Sequence, residues 1–312
     1  TAYEISLGLV GSEMCIRDSM TLASEWAVKH SVILASALGM SPIMIGLILV
    51  SLGTDLPEIV NSIVSSSLGH GDVNAGDSIG SVLAQITLVL GILPFLGRPF
   101  KVRRRDVLIM GACQILSLML VISIVEKGYI SRINALFLVG SWPIYMLLTG
   151  FMIKRGHGGA YNHGTRSKMY HLTLALAGLG GVAAGAYAVV QSVITLSTFL
   201  GIPKYLISFF LAGIGTSLPE LAVDLMAIRK GEYELAIGDV VGSCIVDASV
   251  SIGIGQVLFP QAVSGGLASI TTLYTVFASF MVILTLAVRE VVDRKAGTLF
   301  LALYLLSYLM LV

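Results

Sequence analysis

Gly53-Thr54-Asp55-Leu56-Pro57-Glu58 and Gly215-Thr216-Ser217-Leu218-Pro219-Glu220 are the same hexapeptide with one substitution, 162 positions apart. The likeness runs without gaps from 39–92 onto 201–254: Gly76-Asp77 and Gly80-Ser81 recur as Gly238-Asp239 and Gly242-Ser243, and Gly91-Ile92 as Gly253-Ile254. Self-similarity at a fixed offset marks an internal repeat, here a duplicated helical hairpin. Pro57 and Pro219 lack an N–H and clash with the carbonyl four residues back, which frees carbonyls near Gly53-Thr54 and Gly215-Thr216 from helical bonding. Positions 54, 55 and 58 share a helix face by the three-and-four spacing, as do 216, 217 and 220. Each copy therefore offers carboxylate, hydroxyl and carbonyl oxygens together. The second helix of each hairpin adds a stripe with four-residue spacing: Asp77, Ser81 and Gln85 in the first copy, Asp239, Ser243 and Asp247 in the second.

The surrounding chain is that of an integral membrane protein. Of 312 residues, 56% are hydrophobic and only 12% charged, with a mean hydropathy of +0.91, whereas soluble domains carry about 25% charged residues. A net charge of +1 points neither to nucleic acid nor to a basic partner. Cys15, Cys113 and Cys244 are scattered and form no CxxC pair, which excludes a disulfide framework, structural zinc and thiol redox chemistry. A span needs roughly 20 mostly apolar residues. On that measure ten are predicted, at 20–38, 43–66, 74–96, 106–125, 132–153, 170–197, 203–228, 234–258, 268–288 and 297–312. Alternating loops then place Lys29, Arg98, Lys101, Arg103, Arg104, Arg105, Lys154, Arg155, Arg166, Lys168, Arg229, Lys230, Arg289, Arg294 and Lys295 on one side. Only Lys127, Arg132 and Lys204 fall on the other, and Arg17 in the leader completes the 19 lysines and arginines. By the positive-inside rule the first set is cytoplasmic, with the 154–168 loop, and both chain ends are outside. Trp26 and Trp142 are expected at the membrane interface.

Five spans separate the copies, an odd number, so the second hairpin enters from the opposite side. The predicted organisation is a first inverted repeat over 20–153, a cytoplasmic loop over 154–168 and a second repeat over 169–312. Residues 1–19 carry Glu4, Glu13, Arg17 and Asp18 and no apolar run; they are expected to be a leader of artefactual origin that replaces the start of span 1. An all-α protein of two inverted five-helix repeats with discontinuous helices is the architecture of secondary transporters, whose sites lie where the halves meet. Each charge at the bilayer centre costs at least about 2.5–3.5 kcal/mol. Asp55, Glu58, Glu220 and Asp247 cluster there without basic partners, so a cation must compensate them. An all-oxygen, acid-rich set suits calcium, which takes about 6–8 oxygens, better than magnesium; sodium binds the same oxygens with less charge. Asp77 and Asp239 are read either as site residues or as N-caps of their helices, and Asp224, one turn beyond Glu220, as facing a water-filled entry.

The hexapeptides 53–58 and 215–220, with the Gly-Asp-x-x-Gly-Ser stretches 76–81 and 238–243, resemble the two alpha repeats of the cation/calcium exchanger superfamily, of the prokaryotic sodium/calcium exchanger type. The resemblance covers about 22–312. It implies ten helices and four central ion positions, with Glu58 and Glu220 as calcium ligands helped by the carbonyls of Thr54 and Thr216. It further implies that Ser217, Ser81 and Ser243 line sodium positions, that Gln85 and Asp247 form the middle position, and that spans 1 and 6 slide as gates. The implied substrates are calcium and sodium ions, with no cofactor, no enzymatic activity and a prokaryotic inner membrane as location. Asp55 stands where the family has serine, Gln85 where it has asparagine, and Asp77 and Asp239 where asparagine is common. Asp55 is thus an added acid and candidate metal ligand, and a proton held on Asp55 or Asp247 would replace one sodium.

Three rival functions share parts of this pattern. A calcium/proton or potassium-coupled antiporter uses the same motifs. A cation channel would share the acids but needs neither an inverted repeat nor broken helices. An intramembrane aspartyl protease would use Asp77 and Asp239, yet leaves the two hexapeptides without a role.

Overall fold

The computed structural model describes residues 41–153, Thr173 and 201–311. Predicted span 1, span 6 apart from Thr173, the leader and the 154–168 loop lie outside these residues. The other eight spans each find a helix. Helix α1 (Pro42–Thr54) bends by 41° into α2 (Leu56–Ser67). There follow α3 (Gly71–Leu96), α4 (Arg104–Val125) and α5 (Arg132–Met152). In the second half, α6 (204–216) breaks at Ser217 before α7 (Leu218–Lys230), and α8 (Tyr233–Leu258), α9 (Gly265–Arg289) and α10 (Arg294–Leu311) complete the set. With α6 and α7 taken as one helix over Lys204–Lys230, seven of the described helices are long and apolar enough to cross a membrane, and eight if the bent pair α1–α2 counts as one span.

The breaks follow the prolines. Asp55 has φ −78°, ψ 7° and Ser217 φ −82°, ψ 4°, the same non-helical joint in each half, with proline at the second position of the restarted helix. There the missing N–H costs nothing and the fixed φ suits the new turn. The structure also carries the 162-residue correspondence well past the aligned stretch, since α4 and α5 map onto α9 and α10. Four π-helical turns obey it too: Ile45–Val50 matches Ser208–Ala212, and Ala84–Val89 matches Asp247–Ser251.

The halves interlock through these repeats. Helix α1 packs on α8, and α6 packs on α3. Glycines set the distance of approach, as small residues do between membrane helices. A Cβ at Gly242 would lie 2.6 Å from the Leu47 carbonyl oxygen, and one at Gly76 would lie 2.5 Å from that of Tyr205; Gly76 and Gly238, and Gly80 and Gly242, are the symmetric pairs. Of the seven described helices long enough to span, α8 is the most buried, with 94% of its apolar stretch covered against 28% for α5. Phe137, Phe151, Val288 and Leu309 stand exposed on the outer helices, a surface suited to lipid. Trp142 lies halfway along α5 and is half-buried, so the interface position expected for it is wrong.

Two short antiparallel pairs close the ends. Strand β1 (Phe100–Lys101) pairs with β4 (Val291–Val292), and β2 (Tyr129–Ile130) with β3 (Gln261–Ala262). Arg103 bridges to Glu234 at 3.1 Å, which gathers the basic loops around residues 98–105, 229–234 and 289–295 at one end. At the other, Asp72 accepts from Ser264 N at 2.5 Å and Ser264 Oγ at 2.7 Å, and Lys204 Nζ lies 3.3 Å from His70 Nδ1. The loops bearing Lys127, Arg132 and Lys204 collect there. The alternation inferred from charge thus has a geometric counterpart.

Candidate ion-binding site

Both helix breaks and both polar stripes converge between the halves. Seven carboxylates, those of Asp55, Glu58, Asp77, Glu220, Asp224, Asp239 and Asp247, are at most 1% exposed. Single oxygens of Asp55, Glu58 and Asp247 all lie within 4.8 Å of one another. Gln85 holds two of these acids together, its Nε2 donating to Asp247 Oδ2 at 3.1 Å and reaching toward Asp55 Oδ1 at 3.4 Å. Glu220 approaches from the second half beside Thr54 and Asp55, as Glu58 lies beside Thr216.

The hydroxyls cross between repeats in matched pairs: Ser81 Oγ is 3.1 Å from Thr216 Oγ1, and Thr54 Oγ1 is 3.5 Å from Ser243 Oγ. Thr54 donates back to Val50 O at 3.2 Å or Ser51 O at 3.3 Å, and Thr216 to Ala212 O at 3.0 Å or Asp77 Oδ1 at 3.2 Å. A hydroxyl has one hydrogen and two lone pairs. Spending that hydrogen on the helix, or for Thr216 alternatively on Asp77, leaves a lone-pair oxygen for a cation. Ser217 likewise donates to Gly213 O at 2.7 Å.

Neither oxygen of Glu58 nor of Glu220 receives a hydrogen bond, and one oxygen each of Asp55 and Asp247 is also unpartnered. The ion pairs among the described residues join Arg103 to Asp106 and Glu234, and Arg289 to Asp293; none reaches these acids. Glu58 and Glu220 do sit in the first turns of α2 and α7, where the positive end of the helix dipole returns about 0.3–1 kcal/mol, and about 2 at best. That offsets only part of the cost of at least about 2.5–3.5 kcal/mol per charge. The balance calls for a bound cation, and a set made wholly of oxygens selects a hard one.

The structure brings together Thr54, Asp55, Glu58, Ser81, Gln85, Thr216, Glu220, Ser243 and Asp247, while the Ser217 hydroxyl is turned to its own helix. It corrects two readings. Asp77 and Asp239 lie six residues into helices that begin at Gly71 and Tyr233, so neither caps an N-terminus. Asp224 is fully buried rather than open to an aqueous entry. One participant was missed: Asn61 Nδ2 donates to Asp77 Oδ2. Its signal was present, since Asn61 follows Glu58 by three positions on one helix face.

A multi-helix membrane protein with paired broken helices around a core of unpaired oxygens is a cation transporter by construction. The chain belongs to the sodium/calcium exchanger protein family, whose model matches residues 19–151 and 170–312. It is similar to the inner membrane protein YrbG of Escherichia coli, at 31% identity over 243 residues and 73% of each chain. It is also similar to the sodium/calcium exchanger MaX1 of Methanosarcina acetivorans, at 26% identity, covering 90% of this chain and 92% of the relative. A structure of the sodium-calcium exchanger NCX_Mj soaked with sodium and strontium matches with a TM-score of 0.73 at 28% identity, covering 96% of this chain and 97% of that one.

Proposed function

We propose that this chain is a secondary antiporter that exchanges calcium for sodium by alternating access, with no enzymatic activity and no resident cofactor. One observation carries the reading: Asp55, Glu58 and Asp247 converge within 4.8 Å, with Glu220 opposite and no cationic side chain bonded to any of them among the described residues. Glu58, Glu220, Asp55 and Asp247 hold calcium, and Thr54, Thr216, Ser81, Ser243, Ser217 and Gln85 supply neutral oxygens for it and for sodium. Two inverted five-helix repeats, 20–153 and 169–312, joined by the 154–168 loop and preceded by the 1–19 leader, offer the site in turn to each side. The end rich in arginine and lysine faces the cytoplasm of a prokaryotic cell and both termini lie outside. The family membership supports the ion pair exchanged. The test is calcium uptake into liposomes holding the purified protein, with sodium, potassium and proton gradients imposed separately. Uptake driven by none of them would overturn the proposal.

Asp55 favours a second reading of the coupling. Its carboxylate is an added negative charge within reach of Gln85 and Asp247, where Ser217 occupies the matching place in the other half. A proton on Asp55 would take the place of one sodium. Asp55→Ser is then expected to suppress calcium uptake driven by a proton gradient about tenfold, about 1.4 kcal/mol of lost coupling, while sodium-driven uptake persists. Unchanged sodium and pH profiles in the variant would remove Asp55 from the coupling.

A further inference from the structure

The two halves treat their matching aspartates differently. In the first half, Asp77 has protein partners: Asn61 donates to Oδ2, and the Thr216 hydroxyl, whose one hydrogen goes to Ala212 O or to Asp77, lies 3.2 Å from Oδ1. In the second half, the place of Asn61 is taken by Val223, which has nothing to donate, and Thr54 spends its hydrogen on Val50 O or Ser51 O. Asp239 is left with both oxygens buried and without a donor. The matching place of Ser62, which accepts from Gly255 N at 3.0 Å, is Asp224. This second acid is also fully buried with both oxygens unpartnered.

The Asp224 and Asp239 carboxylates lie within hydrogen-bonding reach of each other, and Glu220 acts on both. Two ionised carboxylates in contact are both acceptors, so each worsens the other's position. Replacing an asparagine by valine and a serine by aspartate, relative to the first half, withdraws a donor and adds a charge at one spot. A packing site has no use for that combination. A cation does, because four lone-pair-bearing oxygens with a formal charge of two neutralise a divalent ion.

We propose that Asp224 and Asp239 form a further divalent-cation site, separate from the central cluster and lying one helical turn beyond Glu220 toward the Arg229 and Lys230 end of α7. Its position on the exit side of Glu220 makes it a staging post between the central site and that end of the protein. The existence of the site does not depend on the exchange reading; only its staging role does.

The test uses the full chain purified in detergent, with the central cluster disabled by Glu58→Gln and Asp247→Asn together. Equilibrium binding of radioactive calcium to this background is expected to leave one bound equivalent per chain. Adding Asp224→Asn, or separately Asp239→Asn, should weaken that binding at least about tenfold. Thermal unfolding gives a second readout that guards against simple misfolding. Because asparagine removes unpaired buried charge, Asp224→Asn should be at least as stable as its background in calcium-free buffer and should lose the rise in melting temperature that calcium gives. No calcium bound in the background, or bound calcium that survives both asparagine substitutions, would overturn the site; the former would mean that the pair holds a proton. Failure of the exchange reading is seen separately, as the absence of gradient-driven flux in the unsubstituted protein.

Discussion

Calcium flux should fall by a factor of about 10² to 4 × 10³ when either Glu58 or Glu220 is replaced by glutamine, since removing one partner of a buried charge pair costs about 3–5 kcal/mol and each 1.4 kcal/mol is tenfold. Glutamine keeps the shape and one acceptor oxygen but removes the charge that a divalent ion requires in a dry site. The fold should survive, because neither carboxylate receives a hydrogen bond from the protein and the substitution leaves no protein donor stranded. The measurement is calcium-45 uptake into proteoliposomes beside size-exclusion profiles of each variant. Near-normal flux in both variants would place the central ion elsewhere. The symmetry of the two breaks makes the prediction sharper. Asp55 and Ser217 share one backbone conformation, so both glutamates start their helices in the same pose and the two losses should be of similar size.

What the sequence made legible was whatever repeats along the chain. The duplicated hexapeptide located both helix breaks, the four-residue stripes identified Ser81, Gln85, Ser243 and Asp247, and runs of apolar residues marked the eight described spans. What escaped was whatever depends on the other half. That Ser81 meets Thr216 rather than Thr54, its neighbour in the same repeat, is a contact between residues 135 positions apart, and no local pattern encodes it. The role of Gln85 as a bridge between Asp55 and Asp247 has the same origin, for Asp247 lies 162 positions away. The π-helical turns escaped for a different reason. One extra residue per turn leaves hydrophobicity and propensity almost untouched, and such turns are fixed by tertiary packing and cluster at functional places. Here two of them begin at Ala84 and Asp247, beside the residues that converge on the ion. Asp77 and Asp239 were open to a capping reading because the start of a helix is uncertain by a few residues from sequence alone, and the true starts lie earlier.

Gly80 and Gly242 should be among the least replaceable residues outside the ion site. Helix α3 crosses α6 at Gly80, where an added Cβ would lie 2.7 Å from the Phe209 carbonyl carbon and 2.8 Å from its Cα. At Gly242 on α8 it would lie 2.8 Å from the Leu47 Cα and 3.0 Å from its carbonyl carbon. These obstacles are backbone atoms of the opposite half and cannot swing aside as a side-chain tip does. Overpacking a tight interior costs about 1–3 kcal/mol and sometimes more, against a total stability of about 5–15 kcal/mol. Alanine at either position should therefore lower the temperature of aggregation in detergent by several degrees, and valine should prevent a monodisperse protein. The separation also carries the site, because Ser81 and Ser243 are the next residues along and meet Thr216 and Thr54 across these same crossings. Gly80→Ala should accordingly lose calcium binding in the fraction that remains folded. Gly140 on α5 supplies the control: nothing lies within 4 Å of a Cβ added there, so Gly140→Ala should be neutral or stabilise by up to about 1 kcal/mol through helix propensity. If Gly80→Ala and Gly140→Ala behaved alike, close backbone approach at the crossing of the two halves would not be what holds the site together.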